Sequence, residues 1–367
     1  MITVSEVSMN FGEQVLFDNV NVTFNEGESY GLSGPNGAGK STFMRIVTGE
    51  QEPMAGNVRR PKRVGILRQD HYQFEDNRVI DVVLMGNDNL WQAMHEKETL
   101  LEKGDALTDE EGMRLGELEG VIAEEDGYMA EAEATELLEG LGIPEKFHAG
   151  KMAALTGGDK VRVLLAQSLF GKPDALLLDE PTNALDIASI RWLEGFLLEY
   201  RGVLVVISHD RHFLNEVCTR IADIDYQTII VYPGNYDDMV HQKAEARGSL
   251  ELQNSAKQKK IQDLQEFVQR FRAGSRASQV KSREKALERE KQALSDLKRS
   301  NIERPWLRFE LKRPSGKQAL AVEGLTKHFG DIAICDNLNF SLFRGDKVAV
   351  VGPNGVGKTT LLKMLVD

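Results

Sequence analysis

Apolar residues in the first 235 or so positions of the chain follow two different spacings. Short aliphatic runs predict strands, and longer stretches with apolar residues three or four positions apart predict helices. The predicted strands are Ile2–Val7, Val20–Phe24, Ser29–Leu32, Val64–Leu67, Ala175–Leu178 and Val203–Ile207. Helical patterns begin at Lys40, Ile187 and Arg211. Because strands and helices alternate, the pattern predicts an α/β fold around a buried parallel sheet.

Two long helical stretches differ from this alternation and from each other. Residues from about 79 to 142 are acidic and rich in Leu, Met and Glu. Residues from about 236 to 299 are rich in Lys, Gln, Glu and Ala, with an apolar stripe at Leu264, Phe267, Val268 and Phe271. The stripe is interrupted near Ala273-Gly274-Ser275, which predicts an antiparallel helical hairpin with a basic tip.

An internal repeat organises the chain. The segment that begins at Val7 recurs from Leu325 to Val366 at a constant offset of 318 residues, so that Phe11 corresponds to Phe329 and Gly34 to Gly352. Self-similarity at so long a period indicates duplication of a whole domain rather than a solenoid.

The first copy contains a complete P-loop (Walker A) pattern between an apolar strand and a helix, and the second copy repeats the same eight-residue pattern. Its glycines let backbone amides surround phosphates, the lysine reaches the β- and γ-phosphates, and the following hydroxyl ligates Mg²⁺. A chance glycine-rich turn is the weaker alternative, because the pattern occurs twice. The predicted nucleotide-binding residues are Gly34, Asn36, Gly37, Gly39, Lys40, Ser41 and Thr42 in the first copy, and Gly352, Asn354, Gly355, Gly357, Lys358, Thr359 and Thr360 in the second. Ser41 and Thr359 are the predicted magnesium ligands.

Two acids follow the apolar strand that ends near Leu178. Asp179 is predicted to bind Mg²⁺, and Glu180 to polarise the attacking water. An Asp-Glu pair after a strand can also be a solvated turn. Here the continuation Pro181–Asp186, and a later strand that ends at Ser208-His209-Asp210, favour the catalytic interpretation.

These segments, in this order, resemble the Walker B, D-loop and switch-histidine elements of ATP-binding cassette ATPases. Gln69 resembles the Q-loop, and the stretch containing Thr156, Gly157 and Gly158 resembles the signature that covers the γ-phosphate bound by a facing cassette. The resemblance implies ATP and Mg²⁺ as ligands and a cassette dimer, within one chain or between chains.

The same resemblance implies roles for three further side chains, each with a simpler alternative. Phe11 would stack on adenine, unless it is a core residue. Gln69 would contact Mg²⁺ and the attacking water, unless it is an exposed loop amide. His209 would hydrogen-bond the γ-phosphate, unless it is structural. The implied catalytic residues are therefore Glu180, His209 and Gln69.

The chain resembles, more narrowly, the ABC-F family of soluble tandem cassettes that act on ribosomes. The basis is two cassettes in one chain, a basic helical linker between them, and phrases such as DEPTNALD and VYPGNYDDM. The implied architecture is a first cassette over 1–235 with a helical insertion at about 79–142, a helical hairpin linker over 236–317, and a partial second cassette over 318–367. Ala184, Thr156 and Asp159 depart from the family pattern, which makes slower hydrolysis an expectation.

Charge is strongly segregated along the chain. Residues 237–318 hold 20 basic and 12 acidic residues, a net of +8, whereas the whole chain has a net charge of −12. The basic residues nearest the predicted hairpin turn are Lys257, Lys259, Lys260, Arg270, Arg272, Arg276, Lys281, Arg283 and Lys285. They form either a solvated helical hairpin or a surface that contacts rRNA and tRNA phosphates. The charge segregation and the family resemblance favour RNA on the ribosome.

Composition sets the remaining limits. Hydrophobic residues make up 41% of the chain, enough for a globular core, and no apolar run approaches the roughly 20 residues of a membrane helix. The first 30 residues show no secretory signal, and Cys218 and Cys335 are too far apart in sequence to suggest a metal site or disulfide framework. A cytoplasmic protein without a membrane partner is expected.

The second copy carries a P-loop but no later motif before Asp367. In the family, each of two ATP molecules is bound by one P-loop and the opposite signature. We therefore expect a truncated second cassette and weak turnover by this chain alone. Two other functions are compatible with the motifs: an ATP-gated ribosome-protection factor against antibiotics, and the motor subunit of a transporter with a separate membrane partner.

Overall fold

The computed structural model describes residues 1–12, 14–67, 74–104, 107–246, 316–330 and 332–366, together with positions 261, 262, 264, 265, 285, 287 and 288. These residues belong to two compact units. Unit 1 includes residues 1–67, 168–181 and 197–246, and unit 2 includes residues 74–167, 182–196 and 316–366. The predicted linker hairpin lies almost entirely outside the described residues.

Unit 1 begins with a three-stranded antiparallel sheet. Its strands are β1 (Ile2–Phe11), β2 (Gln14–Phe24) and β4 (Ala55–Arg59), in the order β2-β1-β4. Alternate residues of β1 and β2 are buried, as expected for a sheet with one face against a core. Both strands are longer than the sequence predicted.

The second sheet of unit 1 has six strands in the order β5-β6-β7-β3-β8-β9. They are β3 (Ser29–Ser33), β5 (Val64–Ile66), β6 (Ala175–Asp179), β7 (Val203–Ile207), β8 (Arg220–Asp225) and β9 (Thr228–Pro233). Five run parallel, and β9 returns antiparallel to β8 through a turn in which Tyr226 and Gln227 have positive φ. The prediction of a parallel sheet is therefore right for the centre and wrong for this edge.

Three helices complete the described part of unit 1. α1 (Lys40–Thr48) follows β3, and the buried Phe43 of α1 packs edge-on against Phe17 at 5.9 Å between ring centroids. α8 (Arg211–Val217) is capped by Asp210, which accepts from two backbone amides. A further helix, α9, begins at residue 236 and is described as far as residue 246. Apolar residues of both sheets and of α1 form one core.

Unit 2 is mainly helical in its first part. Its helices are α2 (Val79–Leu84), α3 (Asp88–Leu101), α4 (Asp109–Glu124) and α5 (Ala130–Gly140), with most of α6 (Gly157–Leu169) and α7 (Ile187–Glu199). α3 packs against α4, and the reciprocal bonds between Thr108 and Glu111 fix the start of α4. The helical region predicted at about 79–142 is confirmed.

The rest of unit 2 repeats the opening of unit 1. β10 (Gln318–Phe329) and β11 (Ile332–Phe343) form an antiparallel hairpin, and α10 (Lys358–Val366) follows the second P-loop. Across the described residues of both units, no helix combines the length and apolar composition that a membrane span requires.

Candidate nucleotide-binding site

The first P-loop joins a buried strand to a helix, as its sequence predicts. β3 lies between β7 and β8, and Ser33 pairs with Asp223 at the carboxyl end of the strands. The loop then turns through three glycines with φ of 150° at Gly34, 81° at Gly37 and 96° at Gly39. Such angles favour glycine, so the P-loop pattern is explained by the backbone it must adopt.

Two of these glycines also lie where a side chain has no room. A Cβ on Gly34 would be 2.9 Å from the carbonyl oxygen of Ile224, and a Cβ on Gly39 would be 3.0 Å from Cδ1 of Leu16. The P-loop is therefore packed closely between β8 and β2. Glycine here lets backbone amides approach a ligand while the loop stays in contact with the sheets.

Lys40 is the first residue of α1 and folds back over the P-loop. Its Nζ donates hydrogen bonds to the carbonyl oxygens of Gly34, at 2.8 Å, and Pro35, at 3.2 Å. Burial lowers the pKa of Lys40, and the carboxylates of Glu180, Asp179 and Asp223 act in the opposite direction. The ammonium group thus lies in the P-loop, within the electrostatic reach of three carboxylates.

β6 brings both predicted acids to the carboxyl end of the parallel strands, where the P-loop also begins. Asp179 is the last residue of β6, and Glu180 follows with a positive φ of 53°, a strained conformation for a residue with a side chain. The backbone N–H of Glu180 donates to the carbonyl of Ile207 at 2.8 Å. This bond ties the acidic turn to the end of β7, where His209 is found two residues later.

Glu180 and His209 lie next to each other. The backbone N–H of His209 donates to Oε2 of Glu180 at 3.2 Å. The imidazole Nε2 of His209 is 3.5 Å from Oε1 of Glu180. Oε1 is buried and has no hydrogen-bond partner among the described residues, while the His209 side chain is 70% exposed. A buried carboxylate oxygen without a partner is unfavourable unless a ligand or water occupies the space beside it. The site therefore fits a hydrated ligand next to Glu180.

A cavity of about 400 Å³ lies beside the P-loop on the side away from β6. It is lined by the start of β2, the P-loop and the β8–β9 turn, at Gln14, Val15, Leu16, Pro35, Asn36, Gly37, Ala38, Ile224, Asp225 and Gln227. Phe11 does not line this cavity. It is 55% exposed at the end of β1, which contradicts the alternative that it is a core residue.

The remaining predicted residues of the first site are placed less tightly. Ser41 and Thr42 lie in the first turn of α1, where Ser41 is exposed. Gln69 lies outside the described residues, so its assignment stays a prediction. No group of three or more His, Cys, Asp or Glu side chains in the described part of the chain could hold a metal by itself. Mg²⁺ commonly binds through one or two protein oxygens and the phosphates, which Asp179 and Ser41 would satisfy.

The signature segment begins a helix of unit 2. Thr156 is exposed and precedes α6, with Gly157 and Gly158 in its first turn. The Thr156 hydroxyl donates to Oδ2 of Asp159 at 2.7 Å, and the Asp159 amide donates back to it at 3.3 Å. Arg162 also pairs with Asp159. The Thr156 hydroxyl, which the family resemblance assigns to a γ-phosphate, is thus bonded to Asp159, another residue that departs from the family pattern.

The second P-loop, also in unit 2, repeats the geometry of the first. Lys358 Nζ donates to the carbonyl oxygens of Gly352 and Pro353, each at 2.7 Å. Asn354 donates from Nδ2 to the carbonyl of Ala184 at 2.9 Å. The other predicted residues are Gly355, Gly357, Thr359 and Thr360, in the loop and the first turn of α10.

Asn354 joins the second P-loop to the D-loop. The pKa of Asp186 is lowered, first by the backbone amide of Ser189 and further by that of Asn354. The contact with Ala184 and Asp186 was not predicted from the sequence. Among the described residues, no hydrogen bond links this P-loop with Thr156–Gly158. The predicted pairing of the second P-loop with the signature stays a prediction.

Sequence reasoning also missed two acids beside the first P-loop. Asp223 and Asp225 alternate along β8, are almost completely buried, and share the ammonium group of Lys243. Their signal was the spacing of two in a buried strand, which places both side chains on one face. Their partner could not be predicted from a local pattern, because Lys243 is 18 residues beyond Asp225.

A P-loop with a half-buried lysine, followed in space by an Asp-Glu pair and a histidine, defines a nucleotide-binding α/β ATPase core. The profile of the ABC transporter family matches residues 17–183 and 335–367, and a second profile with the same description matches residues 222–308. The chain belongs to the ATP-binding cassette family. Members of this family bind and hydrolyse ATP.

Several curated relatives align with essentially the whole chain. An uncharacterized ABC transporter ATP-binding protein of Bacillus subtilis, YkpA, is 47% identical over 100% of this chain and 68% of its own length. The probable ATP-binding protein YbiT of Escherichia coli is 48% identical over 100% of this chain and 69% of its own. The energy-dependent translational throttle protein EttA of Mycobacterium tuberculosis is 33% identical over 99% of this chain and 65% of its own.

Proposed function

We propose that this protein is an ATPase of the ABC-F type, which binds MgATP and hydrolyses it to ADP and phosphate in order to gate association with the ribosome during translation. The observation that supports the chemistry is Glu180. One oxygen of its carboxylate is buried and has no hydrogen-bond partner in the described part of the chain, next to His209 and within electrostatic reach of Lys40. The relative named as a translational throttle supports the ribosomal part.

The first cassette supplies the phosphate-binding groups. The amides of Gly34–Thr42 and the ammonium of Lys40 bind the phosphates, so Lys40 exchanges its carbonyl partners for phosphate oxygens. Asp179, Ser41 and Gln69 would hold Mg²⁺, and the ion would supply positive charge beside the phosphates. Phe11 stacks on the adenine from its exposed position at the end of β1.

Hydrolysis needs a water held in line with the γ-phosphate, and Glu180 orients it. The strained backbone at Glu180, fixed by the bond to Ile207, points the carboxylate into the site rather than into solvent. His209 contacts the γ-phosphate from the end of β7. The chemistry is positioning and electrostatic stabilisation, without a covalent intermediate.

The second P-loop and the signature of the first cassette would together form the second site of a cassette pair. Thr156, Gly157 and Gly158 cover a γ-phosphate across the pair, which requires the Thr156 hydroxyl to leave Asp159. The residues Gly352–Thr360 bind a second nucleotide. We extend the proposal to the domain boundaries at 235 and 317, to a cytoplasmic location, and to rRNA and tRNA contact by the basic linker between them.

A transporter motor is the second candidate, because the matching family profiles and one relative carry the transporter description. The two candidates differ in their partner. An ATPase acting on ribosomes is stimulated by ribosomes, and a motor subunit co-purifies with a membrane protein. A ribosome-protection factor would bind ribosomes with little turnover.

The test is co-sedimentation of the purified protein with ribosomes in the presence of MgATP, ADP or no nucleotide. We expect Glu180→Gln to hold the ATP-bound state and to increase the sedimented fraction, while Glu199→Gln, an exposed Glu at the end of α7, behaves as the unmodified protein. Raising the salt concentration should reduce sedimentation steeply if phosphates are the contact. Equal sedimentation by both variants under every nucleotide condition would contradict the proposal.

A further inference from the structure

α9, the helix that leads from the first cassette toward the basic linker, is fastened to the cassette at its first turn. The side chains and backbone amides of Asn235 and Asp238 bond reciprocally, each at 3.0 Å. Asn215 of α8 and Asp237 form a second reciprocal pair at 3.0 Å. These bonds fix where α9 begins and in which direction it leaves the sheet.

One turn further along, Lys243 reaches back from α9 to β8. Its Nζ lies 2.5 Å from Oδ2 of Asp223 and 2.8 Å from Oδ2 of Asp225. Both aspartates are almost fully buried, at 2% and 3% exposure. Burial works against the charged form of Lys243, but hydrogen bonds and charge from the two carboxylates outweigh it and raise the pKa of Lys243.

A buried pair of carboxylates depends strongly on its cation. Two acids spaced by one residue on the same face of a strand repel each other, and removal of the cation they share weakens the compensation of their charge in a poorly solvated place. Lys243 therefore determines whether β8 can keep both aspartates in these positions.

Asp223, Ile224 and Asp225 of β8 form one wall of the candidate nucleotide site. Asp223 pairs in register with Ser33, directly before the P-loop, and acts electrostatically on Lys40. The carbonyl of Ile224 lies against Gly34. Asp225 lines the cavity beside the P-loop together with Asn36. A displacement of β8 would reach the P-loop without passing through any other element.

We infer that Lys243 is a positioning residue for nucleotide binding: from the start of the linker, it holds Asp223, Asp225 and the β8–β9 turn against the P-loop in the geometry that accepts a nucleotide. This rests on the proposed function, because it assumes that the P-loop binds MgATP. Lys243 pairs with the two aspartates of β8 rather than with Asp179 or Glu180, so its loss should affect affinity and KM rather than kcat.

The first experiment measures MgATP dissociation constants and steady-state kinetics for Lys243→Met. We expect the dissociation constant and KM to rise about 5-fold or more, the lower end of typical coupling between sites, with kcat changed less than about 2-fold. Lys62→Met, an exposed lysine of the same unit with the same change in net charge, should leave all three values unchanged.

A rescue variant separates positioning from a general loss of structure. Lys243→Met combined with Asp223→Asn and Asp225→Asn removes the whole ion cluster, and replacing an entire buried cluster costs much less than breaking it. We expect this triple variant to recover most of the affinity. A loss of affinity in Lys243→Met that the triple variant does not recover would overturn the inference.

The unmodified protein provides a test that does not depend on whether any variant folds. If Lys243 couples α9 to the nucleotide site, MgATP must slow backbone hydrogen exchange over residues 236–246, because coupling is reciprocal. Unchanged exchange there at saturating MgATP would contradict the inference. If the unmodified protein binds no MgATP, the proposed function fails first; if it binds and Lys243→Met binds equally well, only this inference fails.

Discussion

The two P-loop copies show which parts of a cassette are determined locally. Gly34, Gly37 and Gly39 have φ of 150°, 81° and 96°, and their counterparts at 352, 355 and 357 have 154°, 82° and 102°. In both copies the lysine donates to the same two carbonyls of its own loop. The second loop reaches this geometry among different neighbours, so the geometry is encoded within the loop and its hairpin.

The hairpins before the two loops agree in similar detail. Asn19 and its counterpart Asn337 have φ of 51° and 50°. The Asn19 amide donates to the hydroxyl of Ser8 at 2.8 Å, and the Asn337 amide donates to that of Thr326 at 2.9 Å. In both hairpins, a hydroxyl residue on one strand therefore accepts from the backbone amide of an asparagine with positive φ on the other strand.

The segment between hairpin and loop differs completely. In the first copy it is β3, with Tyr30 and Leu32 buried between neighbouring strands. In the second copy the residues before Gly352 form no strand, and Val348 and Val350 are 64% and 40% exposed. A strand needs neighbours to bond with, and the described residues of unit 2 supply none to this segment. The conformation of the P-loop is determined by its own sequence, whereas the strand before it forms only where neighbouring strands are available.

The largest effect should come from the acids that only the first P-loop has beside it among the described residues. Glu180→Gln removes the carboxylate that orients water but keeps its shape, so turnover should fall by about 10²- to 10⁴-fold, while MgATP affinity stays within about 3-fold of the unmodified value. Phosphate release and equilibrium binding measure the two quantities. Turnover that stays above half the original rate would mean that another site carries out the hydrolysis.

The next largest effect should come from the difference in burial between Leu32 and Val350. Leu32→Ala removes a fully buried side chain of β3 and should lower the free energy of unfolding by about 2–5 kcal/mol. Val350→Ala, at the matching position of the second copy, should change it by no more than about 0.5 kcal/mol. Urea unfolding followed by circular dichroism measures both. An equal loss for Val350→Ala would show that the segment before Gly352 is also buried in solution.

The two P-loop lysines should differ in their contribution to nucleotide binding. Lys40→Ala removes charge-assisted hydrogen bonds from a loop already held in the sheet, so MgATP affinity should fall about 10- to 100-fold. Lys358→Ala should lower it less than about 3-fold, because ordering residues 347–351 costs conformational entropy before the second loop can bind. Titration with a fluorescent ATP analogue measures both. A larger loss with Lys358→Ala would reverse this ranking.

The same distinction explains what the sequence could predict. The P-loops, the strand that delivers Asp179 and Glu180, and the α/β class were predicted because short patterns specify each of them. β8 was missed because Asp223 and Asp225 interrupt its apolar run, and its antiparallel partner β9 was missed with it. Lys243, distant in sequence, pairs with both of these buried aspartates. The cavity beside the P-loop was missed for the same reason, since residues from β2 and β8 meet there only after folding.

Cysteine reactivity should show the smallest difference and reports on the second copy directly. Cys335 occupies the position that Phe17 fills in the first copy, but it is only partly buried, whereas Phe17 is fully buried. Cys218 lies in unit 1 at 5% exposure, and burial raises the pKa of its thiol to about 12. At about pH 8.5, where an unperturbed thiol is half ionised, Cys218 should stay protonated in the folded protein. Because its folded pKa is raised, its neutral state favours folding below about pH 8.5, and this contribution declines as the pH rises toward 12.

We therefore expect a chromogenic disulfide reagent to modify Cys335 about 10-fold faster than Cys218, with both reacting equally in urea. Slow modification of Cys335 would mean that the second hairpin is covered in solution as completely as the first.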